Sequence, residues 1–194
     1  MKNECGKLIV ISGPAGCGKD TIVEGLFEQD ELYGSQCRIF YSVSTTTREI
    51  RKGEEEGKHY FFKSRNTFEK LINQGEFLEH TEYCGNYYGT RKKTVLSALE
   101  NGKNTVLKIE VEGAMNVKSL YKNAVLIFIK PPSIEELRRR LEKRSTEDQA
   151  TIERRLKKAQ EEMTHADKYD YQVVNDDLQT AINEVAEIIL KEIS

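Results

Sequence analysis

The sequence contains no tryptophan, three prolines, four cysteines and three histidines in 194 residues. Cys5, Cys17, Cys37 and Cys84 form no CxxC pair, and His59, His80 and His165 lack the spacing of zinc ligands. That argues against a structural zinc site and for ordinary reduced thiols. No stretch approaches the ~18 apolar residues required to cross a bilayer. The opening segment MKNECGKLIVIS lacks the long apolar region and small-residue cleavage site of a secretory signal. The expectation is a cytoplasmic protein with no membrane partner. Neither sign of charge dominates. Thirty basic residues face 32 acidic ones, for a net charge of −2, so no global attraction to nucleic acid is implied. There is no internal repeat, low-complexity tract or linker.

What is present is a 22.3 kDa chain, 38% hydrophobic and 32% charged, with mean hydropathy −0.63. This length buries a real core and favours one domain, with room for a small insertion. Residues 8–11 are an apolar, β-branched run stopped by Ser12-Gly13-Pro14, which predicts a buried strand. A helical pattern covers about 19–29, and 39–44 reads as a second strand. From 45 to about 88 the character changes. A charged stretch with two glycines at 48–58 precedes a short aromatic strand at 59–62. A helix follows at 64–74, with Phe68, Leu71 and Ile72 on one face, then a strand at 76–84. Gly85-Asn86 predicts a tight turn into Tyr87-Tyr88. This β-rich segment reads as an inserted subdomain.

The alternation then resumes. Thr90 is expected to cap a helix that ends before Gly102. A strand at 104–109, a helix at 112–121 and an apolar strand at 124–129 come next. Ser133-Ile134-Glu135-Glu136 is a capping box for a further helix. A basic stretch at 138–144 leads through polar residues 145–150 into a long helix to about 166. A strand at 171–174 and a helix at 178–193 complete the pattern. Strands alternating with helices predict an α/β fold, a parallel sheet with right-handed crossovers.

Gly13-Pro14-Ala15-Gly16-Cys17-Gly18-Lys19 lies between a predicted strand and a predicted helix. Phosphate oxygens need several inward-pointing backbone N–H groups, and glycines let that backbone come close. The helix N-terminus adds favourable dipole charge, and Lys19 reaches the β- and γ-phosphates. A structural glycine turn is the plain alternative; the strand–loop–helix context favours phosphate. One departure stands out. The pattern ordinarily continues with Ser or Thr, whose hydroxyl helps hold Mg²⁺, and here the residue is Asp20. Thr21 lies one helical position on, rotated by about 100°. Asp20 either binds Mg²⁺ directly or repels metal-free ATP.

Ser42-Val43-Ser44-Thr45-Thr46-Thr47-Arg48 is followed by Arg51, Gly53-Glu54, Gly57 and Tyr60. Downstream come Glu76-Phe77-Leu78-Glu79 and Gly85-Asn86-Tyr87-Tyr88-Gly89-Thr90. In these segments the chain resembles the guanylate kinases, over about residues 8–193. The resemblance implies a P-loop NTPase-type parallel-sheet core (1–44, 90–140 and 167–194) flanked by helices. It adds a GMP-binding subdomain (45–89) and a helical lid (141–166), all within one domain. It implies transfer of the γ-phosphoryl of ATP to GMP, giving ADP and GDP, with Mg²⁺ accompanying ATP. Residues 13–21 and Asn175 would serve ATP. Arg48 and Arg51 would grip the GMP phosphate, with hydroxyls from Tyr60 and Tyr88. Ser44, Glu79 and Thr90 would read the guanine, assisted by Glu110. Lys19, Arg48, Arg140, Arg144 and Arg155 would supply charge for catalysis. Taken singly, Glu79 reads as a solvated strand residue, Arg48 and Arg51 as surface charge, and Tyr60 and Tyr88 as subdomain core; their joint order and spacing carry the resemblance. Asp176 or Asp177 reads equally well as a helix cap.

The sequence also departs from that family. Position 108, usually acidic, is Lys108; position 110, usually Asp, is Glu110; and Ile50 replaces a frequent proline. Asp20 and Lys108 are expected to form an ion pair beside the nucleotide phosphates, with Mg²⁺ held mainly by ATP and water. The same two departures sustain a second reading, a catalytically weakened binding module on the same fold. GMP against dGMP, and monomer against small homo-oligomer, stay open.

Overall fold

The computed structural model describes residues 5–33, 38–143 and 149–194. Its core is a five-stranded sheet in the order β2 (Ile39–Ser42), β7 (Asn104–Lys108), β1 (Leu8–Ser12), β8 (Val125–Lys130), β9 (Tyr171–Val174). All its pairings are parallel. β1 is central and fully buried, with Val10 opposite Leu107 on one side and Leu126 on the other. That is why its sequence is a continuous apolar run and not an alternating one.

The two-residue period of the strands sorts their side chains onto two faces. Ile9, Ile11, Ile127 and Ile129 pack with Ile22, Val23, Val185 and Ile189 from α1 (Lys19–Tyr33) and α7 (Leu178–Ile193). Leu8, Val10, Leu107 and Leu126 pack the other way. Their neighbours are Val95 and Leu99 of α3 (Lys92–Glu100) and Val111, Ala114 and Val117 of α4 (Val111–Leu120). A third, smaller cluster of Leu137, Leu141, Ile152, Leu156 and Ala159 joins α5 (Ile134–Lys143) to α6 (Gln149–Met163). Among the described residues, no helix is long and apolar enough to cross a membrane.

A four-stranded second sheet lies between β2 and α3, in the order β4 (Phe61–Phe62), β3 (Thr45–Thr46), β6 (Asn86–Arg91), β5 (Phe77–Tyr83). α2 (Arg65–Asn73) sits on it through Phe68, which stacks on Phe77 at 4.4 Å and Tyr87 at 5.3 Å between ring centroids. Ser64 caps α2, accepting from the Thr67 N–H.

Four sequence expectations need correction. The strand expected over 39–44 ends at Ser42, because Thr45 and Thr46 pair with Gly89 and Tyr88 in the second sheet. Thr90 caps no helix. It lies inside β6, opposite Glu79, and α3 starts at Lys92, with Arg91 at the N-cap position making no side-chain cap. The β5–β6 turn is Cys84-Gly85, one residue early, with positive φ of 49° and 78° at the two positions. That is the conformation a two-residue hairpin demands. The helix expected to run to 166 stops at Met163, before a short 3₁₀ turn over Ala166–Lys168. The Ser133 cap is present, accepting from the Glu136 N–H at 3.1 Å. Asp177, not Asp176, caps α7.

Candidate active site

The C-terminal ends of β1 and β7 lead into one cleft of about 640 Å³, as ligand sites of open parallel sheets do. β1 runs directly into the glycine loop. Gly13 has φ 146° and its missing side chain leaves room for the Ile129 carbonyl. Gly18 has φ 96°, and a Cβ there would strike the Asn175 amide. Only glycine meets both demands. The loop is anchored from below. Buried Cys17 packs into the core, where desolvation pushes its thiol pKa up. Buried Asn175 donates from Nδ2 to the Cys17 carbonyl at 2.8 Å.

Lys19 is buried at the start of α1. Its Nζ donates to the carbonyls of Gly13 (2.5 Å) and Pro14 (3.2 Å) and lies 3.8 Å from Glu110 Oε2. Burial opposes its charge, but the Glu110 carboxylate and other nearby anionic groups outweigh this and hold its pKa above the usual lysine range. Asp20 and Lys108 both line the cleft and form the expected ion pair. Burial opposes the Lys108 charge as well, and the Asp20 carboxylate more than compensates. Thr21 is exposed on α1 and is not among the cleft-lining residues.

Across the cleft, Arg48 makes a two-pronged contact with Glu54, at 2.6 and 3.0 Å, and stands 5.4 Å from the Tyr60 ring centroid. The Arg51 N–H also donates to Glu54, at 2.7 Å. Tyr60 and Tyr88 meet edge-on at 6.0 Å. Burial raises both phenol pKa values, so both keep their protons as donors. Ser44, Glu79, Tyr60, Tyr88, Lys108 and Glu110 line a narrow side pocket that shares the last four of these with the main cleft. Glu79 is 6% exposed and accepts from the Thr90 hydroxyl at 2.6 Å. Desolvation pushes its pKa up to about 7, against the pull of that hydrogen bond. The Ser44 hydroxyl is buried with no protein partner.

The arginines expected to supply charge are placed differently from one another. Arg155 lines the cleft from α6, together with Arg154 and Thr151. Arg140 does not line it; its guanidinium donates to Glu136 at 2.8 Å and to the Asn175 carbonyl at 2.9 Å. Asn175 likewise faces the loop backbone and not the cleft. Arg144 lies outside the described residues. Sequence reasoning missed Glu54 as the partner of Arg48, and Arg154 altogether. A glutamate six positions from an arginine, in a loop with two glycines, was the available signal for the first. Among the described residues, no group of three or more His, Cys, Asp or Glu side chains gathers to hold a metal.

A parallel sheet whose central strand feeds a glycine loop and a buried lysine defines a P-loop NTPase-type core. The family model for guanylate kinase matches residues 5–192. The chain is 46% identical over 187 residues to a guanylate kinase of Carboxydothermus hydrogenoformans, covering 96% of this chain and 89% of that one. It is 43% identical over 192 residues to one of Desulfitobacterium hafniense, covering 99% and 93%. The crystal structure of guanylate kinase from Anaplasma phagocytophilum superposes with a TM-score of 0.81 at 36% identity, covering all of this chain and 89% of that one. The chain belongs to the guanylate kinase family.

Proposed function

We propose that the protein transfers the γ-phosphoryl group of ATP to GMP, giving ADP and GDP. The observation that carries this reading is the buried Glu79 carboxylate in a narrow pocket that opens, past Tyr60 and Tyr88, toward the Lys19 loop. Guanine presents N1–H and an exocyclic NH₂ side by side, and one carboxylate accepts from both. Adenine has no such donor pair. A site built this way rejects the wrong base by up to ~10⁴–10⁵-fold, because its polar groups would stay unpaired. Thr90 fixes the carboxylate, and Ser44 offers its unsatisfied hydroxyl to the base.

The acceptor phosphate is taken by Arg48, Arg51, Tyr60 and Tyr88. The Arg48 fork that now grips Glu54 matches phosphate oxygens equally well. On the donor side, loop N–H groups and Lys19 hold the β- and γ-phosphates. Arg155 faces the developing charge from α6, within a lid over 141–166. Arg140 and Asn175 act as positioning residues, since Arg140 holds the Asn175 carbonyl and Asn175 holds the loop backbone. No general base is assigned, because the GMP phosphate is already nucleophilic at neutral pH.

Asp20, an exposed carboxylate in the cleft, suits Mg²⁺, which keeps several waters and takes few protein oxygens beside the phosphates. When bound there, Mg²⁺ neutralises phosphate charge. The free thiols of Cys5, Cys17 and Cys84 suit a reducing, cytoplasmic setting. Asp20 and Lys108 depart from the family pattern as a matched pair, so they lend no support to a weakened binding module. A coupled ADP-release assay with ATP and Mg²⁺ tests the reading against GMP, dGMP, AMP, CMP and UMP. Turnover with GMP, or with GMP and more weakly dGMP, is expected. Turnover with AMP at a comparable kcat/KM, or GMP binding without turnover, would overturn it.

A further inference from the structure

We propose that Lys108 is a further phosphate-binding residue of the acceptor site, held by Asp20 until an anionic ligand enters. The proposal rests on the guanylate kinase reading above. β7 places Lys108 opposite Ile11 of β1, two residues before Gly13 of the glycine loop, so it stands where the two nucleotide subsites meet. It lines both the main cleft and the narrow side pocket. Its Nζ is 5.3 Å from the Tyr60 ring centroid, and the Arg48 guanidinium carbon is 5.4 Å from the same centroid. Two cations therefore attend one tyrosine whose hydroxyl belongs to the acceptor site.

The pair is asymmetric. The Lys108 side chain is 10% exposed and the Asp20 side chain 57%. A buried cation without a partner is costly, so Lys108 needs an anion at all times. The exposed Asp20 turns into water at little cost and is the member that can leave. Arg48 is likewise a cation of the cleft held by a carboxylate of its own chain, Glu54, although there both side chains are mostly buried. An entering phosphate dianion outcompetes a single carboxylate, and the ammonium, a compact charge with three donors, accepts the exchange without moving far. This also accounts for the acid at 20 and the base at 108 occurring together. Each change alone would leave an unbalanced charge at the phosphates.

Calorimetric titration with GMP and with guanosine, without ATP or metal, tests the proposal. Lys108→Met should weaken GMP by about 10–100-fold, the effect of one charge-assisted hydrogen bond. Guanosine, which has no phosphate, should change less than about twofold. Asp20→Asn removes the competing carboxylate from an exposed position, and should tighten GMP by about 3–10-fold while leaving guanosine unchanged. In the double variant that tightening should vanish. Wild-type GMP affinity in Lys108→Met, equal weakening of both ligands, or no gain in Asp20→Asn would overturn the assignment. Should Lys108→Met fail to fold, the Asp20→Asn arm decides alone. Guanosine bound normally with no advantage for GMP would reject Lys108 as a phosphate residue but leave the guanine pocket standing. Binding of neither ligand by the wild-type protein would reject the acceptor site, and the proposal with it.

Discussion

Replacing Glu79 by Gln keeps the shape and volume of the side chain and removes its charge. In the proposed guanine contact the glutamine carbonyl would accept from one donor, while its NH₂ would face the other donor. Two charge-assisted hydrogen bonds are thereby lost or spoiled. At about 1.5–3 kcal/mol each, the loss is about 3–6 kcal/mol, or roughly 10²–10⁴-fold in kcat/KM for GMP. The fold should respond in the opposite sense. Glu79 is buried, with its folded pKa raised to about 7 from an ordinary 4.5. Below about pH 4.5 the carboxyl is neutral in folded and unfolded chains alike and costs nothing. Between about pH 4.5 and 7 the unfolded chain ionises while the folded carboxyl stays protonated, so the native state loses stability on the order of 3 kcal/mol, and the loss levels off above 7. Glu79→Gln should lack that loss, so its Tm should match or exceed wild type at pH 8 and show a weaker pH dependence between 5 and 8. Paired steady-state kinetics and thermal melts across this range provide the check. Retention of wild-type kcat/KM, or an unaltered pH dependence of Tm, would refute the reasoning.

In the proposed contact ionised Glu79 is also the form that would receive guanine, so guanosine affinity should rise about tenfold between pH 6 and pH 8 and flatten above; a flat profile across that range would contradict it. Arg48→Ala should raise the GMP KM by at least about tenfold with little change in the ATP KM, measured by varying each substrate in turn. Gly18→Ala forces a Cβ at φ 96° into the Asn175 amide, so Tm should fall and ATP affinity drop by more than about tenfold, as read by melting and nucleotide titration. Arg155→Ala should lower kcat by about 10²-fold while changing both KM values far less, because its charge matters most in the transition state.

The parallel core was legible because its signals are local. The apolar run of β1, the glycines after it and the helix behind them sit within some 25 consecutive residues. What stayed hidden was set by contacts distant in sequence. Thr90 has the chemistry of a helix cap, but Glu79 on the neighbouring strand claims its hydroxyl. Val43 and Ser44 looked like the end of β2 because nothing local marks the break before Thr45 and Thr46 pair with β6. The β5–β6 turn fell on Cys84 because pairing of Tyr83 with Asn86 leaves only two residues to reverse the chain. Among site residues, the resemblance indicated which side chains matter and not which way they point. Arg140 turned toward Glu136 and the Asn175 carbonyl, and Asn175 toward the loop backbone, whereas Arg154 joined Arg155 in the cleft. The Asp20–Lys108 pair was the exception, since two opposite departures 88 positions apart suggested each other.

Tracing the transferred group itself is the most direct test of the central claim. The protein would be incubated with Mg²⁺, GMP and ATP labelled in its γ-phosphate, and the products separated. The account predicts that the label appears as the β-phosphate of GDP, in step with ADP formation. Label released only as inorganic phosphate, or retained in ATP while GMP stays bound, would contradict it.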